Sequence, residues 1–139
     1  VTTYIATYRH HCETSKRPAP HALTVEARTE HAAELAAHAA VDKRHGSGVY
    51  LVEDVVPAPM VGDRVEWVAC DPWGARHALT GKLVRIWPEE PAAGGGRFRH
   101  VTVAVDLDTV PETMREWYDL TAFVDMAQAT ARPAARVPA

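Results

Sequence analysis

Val101-Thr102-Val103-Ala104-Val105-Asp106-Leu107 alternates four aliphatic residues with three small or polar ones. Successive side chains of a strand point to opposite faces, so this period of two predicts a strand with one face buried. Upstream, Gly81 leads into Lys82-Leu83-Val84-Arg85-Ile86-Trp87, and Gly62-Asp63 leads into Arg64-Val65-Glu66-Trp67-Val68-Ala69. Both are strand patterns opened by turn residues. Residues 88–96 between the second and third strands hold Glu89-Glu90, Pro88, Pro91 and Gly94-Gly95-Gly96. That composition gains little by ordering, and a mobile hairpin loop is expected. Downstream, residues 117–124 supply a last short strand, and residues 126–139, rich in Ala, Arg and Pro, read as a disordered tail.

On the N-terminal side, Pro57-Ala58-Pro59 cannot continue a ladder and marks residues 58–61 as a stiff linker. All four tryptophans lie beyond it. Residues 1–57 read as a β-β-α-β unit. Tyr4, Ala6 and Tyr8 alternate with Ile5, Thr7 and Arg9, and Leu23, Val25 and Ala27 share one side of a second strand, with the polar stretch 13–20 as the hairpin tip. Thr29 is placed to cap a helix whose apolar stripe is Ala32, Leu35, Ala36, Ala39 and Ala40, and Lys43, Arg44 and Gly46 supply the stop. A further strand covers residues 49–56.

At 139 residues the chain can bury only a modest core. It holds no apolar run of the roughly 20 residues that a helical bilayer crossing requires. No basic leader precedes an apolar stretch, so the expected location is the cytoplasm and no membrane partner is expected. Val1 in place of Met, with the Ala, Arg and Pro richness, suggests a GTG start in a GC-rich bacterial or phage genome. Cys12 and Cys70 fall in different parts of the chain, in neither a zinc-type spacing nor a disulfide framework, and read as free thiols. Residues 1–60 carry 6 Lys+Arg against 7 Asp+Glu, and residues 61–125 carry 7 against 11. Neither half has the basic surplus from which a phosphate-neutralising face is built.

The strands opened by Val61-Gly62-Asp63 and by Gly81, the aliphatic strand 101–107 and the closing run Leu120-Thr121-Ala122-Phe123-Val124 together resemble the small SH3-like barrels of the Tudor and KOW type. The resemblance covers about half the chain and implies an SH3-like β-barrel over residues 62–125, hence an α+β protein. It also implies a module that binds peptides, modified side chains or nucleic acid. The chain departs from Tudor readers in showing no assignable aromatic cage, and from many KOW modules in lacking basic strand faces. Residues 1–57 more loosely resemble hairpin-helix-strand domains of phage and mobile-element proteins, from which no activity carries over.

The chain has no Gly-x-Ser-x-Gly, no His-Glu-x-x-His and no phosphate-binding loop, so neither an enzyme nor a cofactor is expected. His10-His11-Cys12-Glu13 is the run richest in metal ligands. Adjacent strand residues point to opposite faces, so His10 and His11 should not share an ion, whereas His10 and Cys12 could, with His31 and His38 of the helix as further candidates. Solvated polar residues are the simpler reading of that run. Trp73 stands in Asp71-Pro72-Trp73-Gly74, a good β-turn sequence, where a large aromatic either folds back over the core or stands out as an anchor. Arg76, His77 and Arg85 could form a positive rim around it, with Arg97 and Arg99 in the next loop. The first expectation is therefore a non-catalytic interaction protein of phage or mobile-element type that binds a protein partner through these loops. The alternative is nucleic-acid binding through Arg64, Arg76, Lys82, Arg85, Arg97 and Arg99, with aromatics stacking on bases.

Overall fold

The structure is a computed structural model that describes residues 1–13, 21–93, 96–118 and 122–134. The chain is α+β and divides into two compact units, Val1–Ala58 and Pro59–Ala139. No helix among the described residues is long and apolar enough to cross a membrane.

In the first unit β1 (Thr2–His10) lies between β2 (His21–Ala27) and β3 (Tyr50–Pro57), antiparallel to both, and α1 (Glu30–His45) connects β2 to β3. The alternation read from the sequence sets the packed face. Tyr4, Ala6 and Tyr8 of β1, Leu23 of β2 and Val55 of β3 form one core with Ala33, Ala37 and Val41 of α1. Thr29 Oγ1 accepts the Ala32 N–H at 3.1 Å and caps the helix. Lys43, Arg44 and His45 occupy the last turn, where the helix dipole favours cations, and Gly46 (φ +93°) ends it.

The buried stripe of α1 is not the expected one. Ala33, Ala37 and Val41 face the sheet, Ala40 flanks them, and Leu35 is 59% exposed. With six alanines between residues 32 and 40, hydrophobicity hardly varies around the helix, so the closest approach decides its rotation. The methyl groups of Ala33 and Ala37, both fully buried, let the helix settle on the tyrosine-bearing sheet.

The second unit is built on β4 (Arg64–Cys70), β5 (Arg76–Ile86), β8 (His100–Val105), β9 (Phe123–Ala127) and β10 (Arg132–Pro133). They form one antiparallel sheet in the order β10-β4-β5-β8-β9. Val65, Trp67, Leu79, Leu83, Val101, Val103 and Val105 face its core. Two 3-10 helices, Leu107–Thr109 and Glu112–Trp117, follow β8, and Met114 of the second and Val110 between them join that core.

Four expectations change here. Among the described residues no pairing joins β9 to β10, so the sheet is open where a closed barrel was expected. β10 is only two residues long, and its Pro133 has no N–H to extend a ladder. The last strand of the meander begins at Phe123 and not at Trp117, because residues 112–117 coil; Leu120 and Thr121 lie outside the described residues. Part of the expected tail is structure: residues 126–134 finish β9, turn and return as β10 along β4, burying Ala131 completely. Finally, the loop 88–96 carries a short ladder, β6 (Glu90–Pro91) against β7 (Arg97–Phe98), that prolongs the hairpin of β5 and β8; Gly94 and Gly95 lie outside the described residues.

This packing can be tested at Gly81, Ala37 and Leu35. A β-carbon built on Gly81 would stand 2.4 Å from the Ala104 carbonyl oxygen and 2.6 Å from Val103 Cγ1. Gly81→Ala should therefore cost about 1–3 kcal/mol or more, read as a fall in the urea midpoint. In α1, Ala37→Leu should overpack the helix–sheet contact and cost about 1–3 kcal/mol. Leu35→Ala, on the exposed face, should change stability by no more than about 0.5 kcal/mol.

Candidate functional site

The turn joining β4 to β5 is wired by one carboxylate. Asp71-Pro72-Trp73-Gly74 places Asp at the first position of the turn, Pro at the second and Gly at the fourth, the preferences of a type I turn. The Gly74 N–H donates to the Asp71 carbonyl at 3.0 Å, and Gly74 itself has φ +83°, a conformation glycine adopts without cost. Asp71 Oδ1 accepts the N–H groups of Trp73 and Ala75, each at 2.9 Å, while Oδ2 lies 2.8 Å from His77 Nε2. Residues 71–75 are thus pinned from within. Trp73, third in the turn, is 77% exposed, which resolves the two sequence readings in favour of a side chain standing clear of the core.

Of the expected rim, Arg76 is exposed and His77 half-buried at the start of β5, beside the turn. Arg85 is not there. It lies nine residues along the same strand, roughly 30 Å away at about 3.3 Å per residue, at the opposite end of the sheet. Its guanidinium carbon sits 3.4 Å from the centroid of the Trp87 ring, a cation–π contact, and the Trp87 indole N–H donates to Thr102 Oγ1 at 2.8 Å. The Thr102 hydroxyl donates in turn to Asp125. Arg97 and Arg99 belong to this second end, where Arg97 pairs with Glu89 at 3.2 Å and Phe98 meets His100 edge-on. The six residues expected to form one surface therefore occupy two, joined by β5.

No family model, curated protein or solved structure matches the chain. The site is read from its own chemistry.

The cations of the second unit are largely engaged. Arg64 is bound through both terminal nitrogens to Asp106, whose carboxylate also accepts the Thr80 hydroxyl at 2.8 Å, and these bonds hold the Asp106 carboxyl below its ordinary range against the effect of burial. Sequence reasoning missed this pair because 42 residues separate its members, and only the register of β4, β5 and β8 brings them together. Trp67 is buried, as its strand position suggested, and Trp117 is half exposed on a 3-10 helix and not in a strand. In the first unit, His31 and His38 are exposed on α1 and do not join His10 and Cys12. His11 does, because β1 ends at His10 and the chain turns.

The hydrogen bond with His77 holds the Asp71 carboxyl below its ordinary value; burial opposes this, and the N–H groups of Ala75 and Trp73 reinforce it. A carboxylate with a depressed folded pKa contributes order that is present above its unfolded value and is lost as pH falls through the folded one. The amide resonances of Trp73 and Ala75 should therefore titrate with a midpoint below the unperturbed Asp value of about 3.9, and Asp71→Asn should abolish the titration. A midpoint at or above that value would contradict the wiring.

Proposed function

We propose that the protein is a non-catalytic interaction module whose second unit docks a protein partner on Trp73. The observation that carries this reading is a tryptophan 77% exposed at the tip of a turn whose backbone is already fixed by Asp71. Tryptophan is among the residues that dominate binding hot spots, and a pre-ordered turn loses little conformational entropy on docking. Arg76 and His77 give the anchor a polar, cationic margin. The strand order β10-β4-β5-β8-β9, an open meander with a short fifth strand laid along β4, supports an SH3-like unit, a scaffold that presents loops to partners.

Nucleic acid is the second reading, favoured by the stacking of Arg85 on Trp87 with Phe98 and His100 nearby in the chain. The pairing of Arg64 with Asp106 and of Arg97 with Glu89 weighs against it, because each neutralised cation is one fewer to displace counterions from phosphates.

Trp73→Ala discriminates. The variant should keep its urea midpoint within about 1 kcal/mol of the parent, as expected for an exposed side chain. It should also recover the partner captured by the full-length parent with an affinity weakened by about 2 kcal/mol or more. Unchanged capture by the variant, or capture dominated by nucleic acid and lost steeply with added salt, would overturn the protein-docking reading.

A further inference from the structure

We propose that His10, His11 and Cys12 form a binding site for one zinc ion. Their ligand atoms lie within 4.8 Å of one another, on side chains that are half-buried or exposed. Two imidazoles and a thiolate are the donors that borderline-soft Zn²⁺ selects. With bonds of about 2.0–2.1 Å to nitrogen and about 2.3 Å to sulfur, tetrahedral coordination needs ligand atoms some 3.3–3.6 Å apart, so the group must contract by about an ångström. The turn that carries it is at the surface and can do so.

The backbone explains why three consecutive residues converge. On a continuing strand His10 and His11 would point to opposite faces. β1 stops at His10, and the Glu13 N–H donates to the His10 carbonyl at 2.9 Å, closing a turn that swings Cys12 back. The two imidazole rings stack at 4.4 Å, and the edge of Tyr50, at 5.2 Å and 85°, supports His10 from β3.

His11 has the outer hydrogen bond that metal-binding histidines carry. Its Nδ1–H donates to the Val49 carbonyl at 3.3 Å, which assigns the proton to Nδ1 and leaves the Nε2 lone pair available. The backbone N–H of His11 donates to the same carbonyl at 3.3 Å, so the residue is held against the segment that leads into β3. His10 Nδ1 accepts the Cys12 N–H at 3.1 Å, an exposed contact that water can replace when the ring turns to a metal. Glu13 is engaged elsewhere, its carboxylate lying 3.2 Å from His21 Nε2, so the fourth position falls to water. On binding, the Cys12 thiol gives its proton to solvent and its sulfur lone pair to the ion.

The test uses the full chain without an affinity tag and Co²⁺ as a spectroscopic stand-in for Zn²⁺. One equivalent of Co²⁺ should produce a thiolate-to-cobalt charge-transfer absorption that Zn²⁺ abolishes. Cys12→Ser should remove the absorption, and His10→Ala and His11→Ala should each weaken Co²⁺ binding by roughly 100-fold or more, at least the loss seen on removing an outer-sphere partner. Cys70→Ser and His31→Ala should leave it unchanged. Absence of the absorption in the parent, its survival in Cys12→Ser, or its loss in Cys70→Ser would overturn the assignment. Cys12 is exposed, so Cys12→Ser reads out the site without disturbing a core.

Discussion

Gly81 has no room for a side chain, and much of the second unit is arranged around that fact. It sits midway along β5, the strand hydrogen-bonded on one edge to β4 and on the other to β8, opposite Val65 on one side and Val105 on the other. The close approach of β8 at this point brings Val103 against Leu83 in the core. Just beyond it, between Leu83 and Arg85, the β5–β8 register shifts, which lets the strand bend. A straight strand with a larger residue at 81 would hold β8 away and leave the aliphatic faces of the two strands imperfectly packed. The same strand begins beside the Trp73 turn and ends at Ile86, so its length sets how far that turn stands from Arg85.

Polar side chains do most of the locking outside the cores. Asp71 stiffens the β4–β5 turn, Asp106 ties β4 to β5 through Arg64 and Thr80, and Thr102 links Trp87 to Asp125 across β8 and β9. In the first unit the buried Arg9 donates to Glu53 at 2.5 Å, and Glu53 is the extra residue of a bulge in β3. Of these, Thr102 and Asp125 are direct partners across β8 and β9, whereas Arg64 and Asp106 meet across the width of β5. A small protein has little apolar area to spare, and these bonds supply specificity of register where packing alone would be permissive.

How far the sequence revealed this architecture depends on the strength of the local pattern. The strand 101–105, which alternates valine with smaller residues, was legible with its buried face, because period two admits only one assignment. In β1 the face of Tyr4, Ala6 and Tyr8 was legible, but the expectation of a single covered face was not met, since Ile5 and Arg9 on the other side are buried as well. The turn at Asp71 was legible because its residue types have a mechanism. β10 was not: Arg132 and Pro133 carry no strand signal, and what holds them is a pairing with β4, more than sixty residues earlier, together with the burial of Ala131. The first half of β5 was missed for a related reason, since Arg76-His77-Ala78 presents no large apolar side chain and forms a strand only because β4 is opposite. The face of α1 was ambiguous because alanine is nearly the same residue on every side of a helix.

The candidate sites follow the same logic, and it bears on which of them are surfaces for other molecules. Alternation correctly separates His10 from His11 wherever the strand continues, and it fails at the one residue where the strand stops. Charge counts correctly gave an acidic second unit, but could not show that Arg64 and Arg97 are already matched to carboxylates. A cation so matched has to give up a protein partner before it can bind a phosphate, and the exchange returns less free energy than binding by an unpaired one. Trp73 has no such prior engagement to break: its backbone is fixed and its ring is in water, so the burial of that ring is available in full to whatever molecule covers it.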